Sequence, residues 1–243
     1  MILSLLSRAA NFSKKKGIRY VFHFNGFHSF LHFLYCRKVR GHNTYSVGGE
    51  TYYYFDSFGN NTWHNERSVE IPIVMEMVRK YRGRNVLEIG NVLSHHFRVE
   101  HDILDKYETT KGVMNEDVVD FKSNKKYDLI VSISTVEHVG WDENPRDDMK
   151  IPRAIENLRT LISSAGGTII ITLPLGYNAA LDKLLKDWTI RFTNQYYLVR
   201  ISKGNEWKEA SWEEVQHAKY NSPFPFANGL LIGIIEVEPR STY

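Results

Sequence analysis

Glu88, Gly90, Asn91, Asp105, Asp117, Ser134 and His138 share one placement. Each stands at or just beyond the end of an apolar run, or of the short segment that follows one. In open α/β sheets the ligand sits outside the carboxyl ends of the strands, so polar residues there matter more than polar residues elsewhere. Carboxylates, a glycine and a histidine so placed could hold a nucleoside-like ligand and move a proton beside it, since histidine titrates near neutrality. The stretch 85–96, NVLEIGNVLSHH, sharpens the question. Its first half reads as a buried strand running into a nucleotide-binding glycine turn, but only Gly90 of the expected glycines is present.

The elements that must position these residues follow a βαβ rhythm. Short apolar strands are predicted at 86–89 and 101–107, and YDLIVSIS (127–134) suits a strand buried on both faces of a parallel sheet. A helix is predicted over 146–163, a strand over 168–176 and a further helix over 178–190. Late strands follow at 194–202 and 228–238. Ahead of them, TYSVGGETYYYF (44–55) is a hairpin signal centred on Gly48-Gly49. Ser68 is placed to cap a helix through VEIPIVMEMVRKY, with Pro72 tolerated in its first turn. The pattern predicts an α/β fold with an open, mostly parallel sheet, an antiparallel last strand and helices on both faces.

The runs NVLEIGN, DILDKYE, NEDVVDF, YDLIVSISTVEHVG and GGTIIITLPLG, in that order over about residues 65–176, resemble the class I S-adenosylmethionine-dependent methyltransferases. They are also similar to divergent members that accompany glycan-building enzymes. The resemblance implies a Rossmann-like fold and S-adenosyl-L-methionine as cofactor. It implies that Gly90, with Asn91 beside it, lets the backbone approach the methionine part, and that Glu88 organises that loop or reaches the cofactor's amino group. It further implies Asp105 on the ribose hydroxyls, Asp117 on the adenine amine with Val118 against the ring, and Ser134 on the methionine or substrate side. The chain departs from the family at Val92 and Ser94, which stand in glycine places. The short span from Gly90 to Asp105 predicts a crossover helix reduced to about one turn around Ser94–Phe97. This cofactor carries no pyrophosphate, so the loss of two glycines damages a methyltransferase less than a dehydrogenase.

A hydroxyl acceptor needs a base, and His138 is the candidate catalytic residue. The alternative is that Glu137-His138 only fastens the loop over the cofactor. Asp142, Glu143, Asp147 and Asp148 could hold Mg²⁺, but they are read as acidic residues near a helix start, favoured by its dipole. The histidines His23, His28, His32, His42, His64, His95, His96 and His101 are read as packing or surface rather than metal ligands. Asn65, Glu66, Arg67, Tyr177, Asn178, Asp182 and the segment 220–229 are candidate rims of the cleft.

The acceptor expected is a small-molecule or saccharide hydroxyl, of a surface or lipid-linked glycan. A nucleic-acid methyltransferase is one alternative, although no Asn/Asp-Pro-Pro-Tyr motif follows the 127–134 strand. A non-catalytic binding protein with a degenerate fold is another. Cys36 is the only cysteine in 243 residues, which excludes an internal disulfide framework and suggests a cytoplasmic protein. The net charge of +3 is uneven: eight Lys and Arg and no acidic residue precede Glu50, leaving the remainder net acidic. Residues 1–43 are therefore read as a basic, aromatic, helical extension and 44–243 as the methyltransferase-like domain. The face made by Phe24, Phe27, Phe30, Leu31 and Leu34 predicts packing or self-association into a homo-oligomer ahead of peripheral attachment to a membrane. No apolar run is long enough for a transmembrane helix.

Overall fold

The computed structural model describes residues 24–40, 43–57 and 61–239. The part of the N-terminal extension before residue 24 lies outside the described residues, as do the side chains of Phe24, Phe27 and His28. Helix α1 (Phe24–Arg40) leads into a hairpin of β1 (Thr44–Val47) and β2 (Glu50–Tyr53). Gly48 and Gly49 turn it with φ of 62° and 80°, the two positive values that a two-residue hairpin of this twist requires.

Helix α2 (Arg67–Lys80) begins before Ser68, so Ser68 is not its cap and Pro72 falls in the second turn. Pro72 has no N–H to give the Ser68 carbonyl four residues back. The backbone N–H of Phe55 takes that carbonyl instead, at 2.8 Å, and fastens the hairpin to the helix.

The remaining elements are β3 (Val86–Ile89), β4 (Asp102–Leu104), β5 (Val113–Met114), β6 (Leu129–Ile133), α3 (Lys150–Leu161), β7 (Gly167–Pro174), α4 (Ala179–Lys186), β8 (Asn194–Arg200), β9 (Trp207–Ala210), α5 (Trp212–Val215) and β10 (Gly229–Val237). The sheet runs β5-β4-β3-β6-β7-β10-β8-β9. Strands β5 to β7 in that order are parallel, and β10 runs antiparallel to both β7 and β8. This is the expected Rossmann-like sheet with an antiparallel last strand. Three short pieces were not foreseen: β5, the edge strand β9 and α5.

Both faces of the sheet are covered. On one, Leu87, Ile89 and Ile130 meet Ile151, Ala154, Ile155 and Leu158 of α3, whose three- and four-residue spacing makes one apolar stripe. On the other, Val86, Leu129, Val131 and Ile133 meet Val69, Ile73 and Val74 of α2 and Tyr45 and Val47 of the hairpin. Crossing from β3 to β6 reverses the direction in which the sheet is built. The crevice this leaves at the carboxyl edge is where a ligand fits.

Helix α1 is tied to this body. Phe33 and Cys36 pack on Trp63. Arg40, expected as part of an exposed basic arm, is only 1% exposed. Its guanidinium donates to the carbonyls of Asn205 and Trp63 and pairs with Asp56 at 2.9 Å.

Candidate functional site

A cleft of about 700 Å³ opens at the carboxyl ends of β3, β4 and β6. Gly90, Asn91, Asp105, Asp117, Val118, Ser134 and His138 all line it, with Ile89, Leu104 and Val139 as apolar wall. Of the rim candidates, Asn65 and Arg67 line it too.

Glu88 does not line the cleft. Its buried carboxylate accepts the N–H groups of Val92 and Leu93, both at 2.8 Å on Oε1, and Oε2 lies 2.8 Å from His101 Nε2. Of its two expected roles, these contacts are those of the loop organiser. The loop makes one 3₁₀ turn, Leu93–His95, close to the predicted single turn. A side chain replaces the missing glycines as the organiser of this loop. Gly90 (φ 82°) still needs to be glycine: a Cβ there would stand 2.3 Å from Thr135 Oγ1. Asn91 is tied within the loop, donating from Nδ2 to Glu108 Oε1 at 2.8 Å and accepting from Ser94.

Asp105 follows β4, and its Oδ1 accepts the N–H groups of Tyr107 and Glu108 at 2.8 Å each. That turn fixes the carboxylate at the mouth of the cleft. Asp117 is engaged differently from expectation. Its Oδ2 takes Lys150 Nζ at 2.5 Å and Lys106 Nζ at 2.9 Å, and its Oδ1 accepts Val119 N–H. Burial alone would raise its pKa, but the two ammonium groups outweigh it and bring the value to about 2. Glu143 completes the cluster, 2.5 Å from Lys150 and 3.1 Å from Lys106. An adenine amine would share this carboxylate with two lysines.

Ser134 lines the cleft, but its hydroxyl is turned away from the expected side. Its backbone has φ 38°, and its Oγ donates to the buried Glu70 Oε1 at 2.5 Å. Arg67 reaches across from α2 to the carbonyls of Ile133 and Ser134. Burial raises the Glu70 carboxyl, with Arg67 opposing.

His138 ends the 3₁₀ turn after β6. Its Nδ1 lies 2.5 Å from Asp142 Oδ2, which also accepts the Tyr177 hydroxyl at 2.8 Å. Burial would raise Asp142, but these two donors hold it below the usual carboxylate range. Glu137 points inward, and burial pushes its carboxyl well up. Its backbone carbonyl accepts from Asn178, which also caps α4 through Leu181 N–H. Asp182 accepts Gly176 N–H, and Glu66 accepts Ala227 N–H. These two rim candidates are fasteners of loops.

The acidic loop does not converge on a metal. Asp147 pairs with Arg153, Asp148 with Arg146, and Glu143 with the two lysines. Among the described residues no three His, Cys, Asp or Glu side chains could hold a metal ion. Lys106 and Glu108, which line the cleft, and Lys150, which reaches Asp117 and Glu143 from the start of α3, were not singled out by the sequence, and Glu143 was considered there only as a metal ligand. Their only signal was position after a strand or within the acidic loop.

No family model matches the sequence, and no curated protein matches it. The chain is similar to several solved methyltransferase structures. The N-methyltransferase NodS from Bradyrhizobium japonicum, in complex with S-adenosyl-L-homocysteine, is 13% identical at a TM-score of 0.43, over 72% of this chain and 89% of that one. The sugar N-methyltransferase KedS8 from a Streptoalloteichus species is 14% identical at a TM-score of 0.35, over 72% and 89%. Magnesium protoporphyrin IX methyltransferase from Synechocystis, with S-adenosylmethionine bound, is 13% identical at a TM-score of 0.33, over 68% and 76%.

Proposed function

We propose that the chain is an S-adenosylmethionine-dependent methyltransferase that O-methylates a saccharide or small-molecule hydroxyl. One observation carries the reading: a single cleft gathers Gly90, Asp105, Asp117-Val118 and His138 from four separate segments. The residues fit the cofactor. The space a Gly90 Cβ would fill is closed by Thr135, which leaves only backbone at the strand end. Asp105 offers a carboxylate for ribose hydroxyls, and Ile89, Leu104 and Val118 offer an apolar bed for adenine. When bound, the cofactor supplies an electrophilic methyl group and leaves as a neutral thioether. The chain's part is to hold acceptor and methyl in line and to take the acceptor's proton, for which His138 is placed.

The lysines on Asp117 favour a second reading, a binding module in which this edge of the cofactor site is closed. Transfer of a tritiated methyl group to a panel of sugars, small hydroxyl compounds and nucleic acids separates the readings. Label in a sugar or small hydroxyl supports the proposal, label in nucleic acid replaces the acceptor, and no label in any supports the binding module.

The exposed Leu31, Leu34 and Tyr35 lie beside the exposed Arg37 and Lys38 on α1. Apart from the buried Arg40, seven basic and no acidic residues precede Glu50, and together these suit an anionic lipid surface. Co-sedimentation with phosphatidylserine vesicles that fades with salt is expected. Equal recovery with neutral vesicles would remove this part of the reading. No helix among the described residues is long and apolar enough to cross a membrane.

A further inference from the structure

We propose that Asp142 and Tyr177 are positioning residues that fix the tautomer of His138, so that Nε2 faces the acceptor with its lone pair free. The inference rests on the methyltransferase reading and deepens it at the base.

One carboxylate oxygen ties the three side chains together. Asp142 Oδ2 meets His138 Nδ1 at 2.5 Å and the Tyr177 hydroxyl at 2.8 Å. The tyrosine is the donor to this oxygen: burial and then Asp142 push its pKa to about 12. An ionised carboxylate only accepts hydrogen bonds. The proton in the contact with His138 therefore belongs to Nδ1, and the neutral ring carries its lone pair on Nε2. The nearest carboxylate to Nε2 is Glu137 Oε1 at 3.6 Å, too far for a hydrogen bond.

The frame around this trio is stiff. The N–H of His138 bonds to Thr135 O at 3.1 Å, and the N–H of Asp142 bonds to His138 O at 3.1 Å. Gly140 (φ 74°) lets the chain double back where a Cβ would stand 2.2 Å from Asp147 O. Asn178, next to Tyr177, clamps the Glu137 carbonyl at 2.7 Å. The Tyr177 ring meets the His138 ring edge-on with centroids 4.8 Å apart.

An exposed His–Asp pair four residues apart would contribute little to stability by itself. A second donor, 35 residues away and delivered by the loop after another strand, shares the same oxygen. That convergence serves orientation more than stability. It is the arrangement in which a carboxylate holds an imidazole for proton abstraction. The acceptor's hydroxyl proton passes to Nε2, its oxygen keeps the electron pair for bonding to carbon, and Asp142 offsets the imidazolium charge. The ring side chain is 46% exposed, so the proton then leaves to water.

Long-range ¹H–¹⁵N spectra of the full chain labelled in histidine, at about pH 8 where an ordinary imidazole is neutral, read the tautomer without any acceptor. His138→Gln assigns the signal. The wild type is expected in the Nδ1–H form. Asp142→Ala, which removes the acceptor from Nδ1, is expected to lose that preference and give a mixture of the two tautomers. Tyr177→Phe is expected to give a mixture. With an acceptor from the methyl-transfer panel, Asp142→Asn should lower kcat by about 10²–10³-fold while KM for S-adenosylmethionine moves less than about twofold. A wild-type ring in the Nε2–H form, or a tautomer unchanged by Asp142→Ala, overturns the proposal. The predicted tautomers in a folded protein that fails to bind S-adenosylhomocysteine would overturn the methyltransferase reading instead, and with it the catalytic role.

Discussion

The carboxylate of Glu88 holds two backbone N–H groups and one imidazole at the start of the cleft. Glu88→Ala would leave those donors buried without an acceptor, at a cost of about 3 kcal/mol. Glu88→Gln keeps a carbonyl for Val92 and Leu93 and should cost about 1 kcal/mol. Urea denaturation of the two variants measures the difference, and equal losses would contradict the loop-organising role. Asp117 has a different signature. Its folded pKa lies near 2, below its ordinary value of 3.8. A depressed carboxylate contributes stability that is present above the unfolded pKa and lost as pH falls through the folded one. The wild type should therefore exceed Asp117→Asn by about 2 kcal/mol above pH ~5, with the gap closing between pH ~4 and ~2. A gap independent of pH would mean that the two lysines do not act on Asp117 as ions. The lysines were not legible in the sequence, because Lys106, Glu143 and Lys150 come from three segments that only folding brings together. The double role of Glu88 was legible as two alternatives, and only the positions of the Val92 and Leu93 amides choose between them.

At the scale of elements, the long apolar runs announced their strands well. Residues 127–134 and 168–176 became β6 and β7 within a few positions. The failures were short pieces. β5 has two residues and β9 four, too few for a period to show, and both are held by neighbours rather than by their own pattern. Helix α2 started earlier than its apparent cap because Phe55 N–H satisfies the carbonyl that Pro72 leaves open, a tertiary contact invisible locally. Helix α1 looked like the end of a basic arm, yet Arg40 is its anchor in the body. Arg40→Met would leave Asp56 and two buried carbonyls without their donor, and is expected to cost about 3–5 kcal/mol. Adding Asp56→Leu should recover part of that loss, measured by the same denaturation. Additive losses in the double variant would show that Arg40 and Asp56 do not act as a pair.

At the scale of the whole molecule, the sheet order places β3 and β6 side by side with their crossovers leading in opposite directions, and the cleft follows from that alone. What the cleft does depends on the few side chains at its rim, since one sheet of this kind hosts many chemistries. The central claim is that a nucleoside cofactor sits there through Gly90, Asp105 and an apolar bed, with Glu88 replacing the glycine-rich cradle. Calorimetric titration with S-adenosylhomocysteine, on wild type and Asp105→Ala, tests it most directly. Micromolar binding is expected, weakened by about 10–100-fold in Asp105→Ala, the worth of a charged hydrogen bond to the ribose. Absence of binding in a folded wild type, or equal affinity in the two proteins, would contradict it.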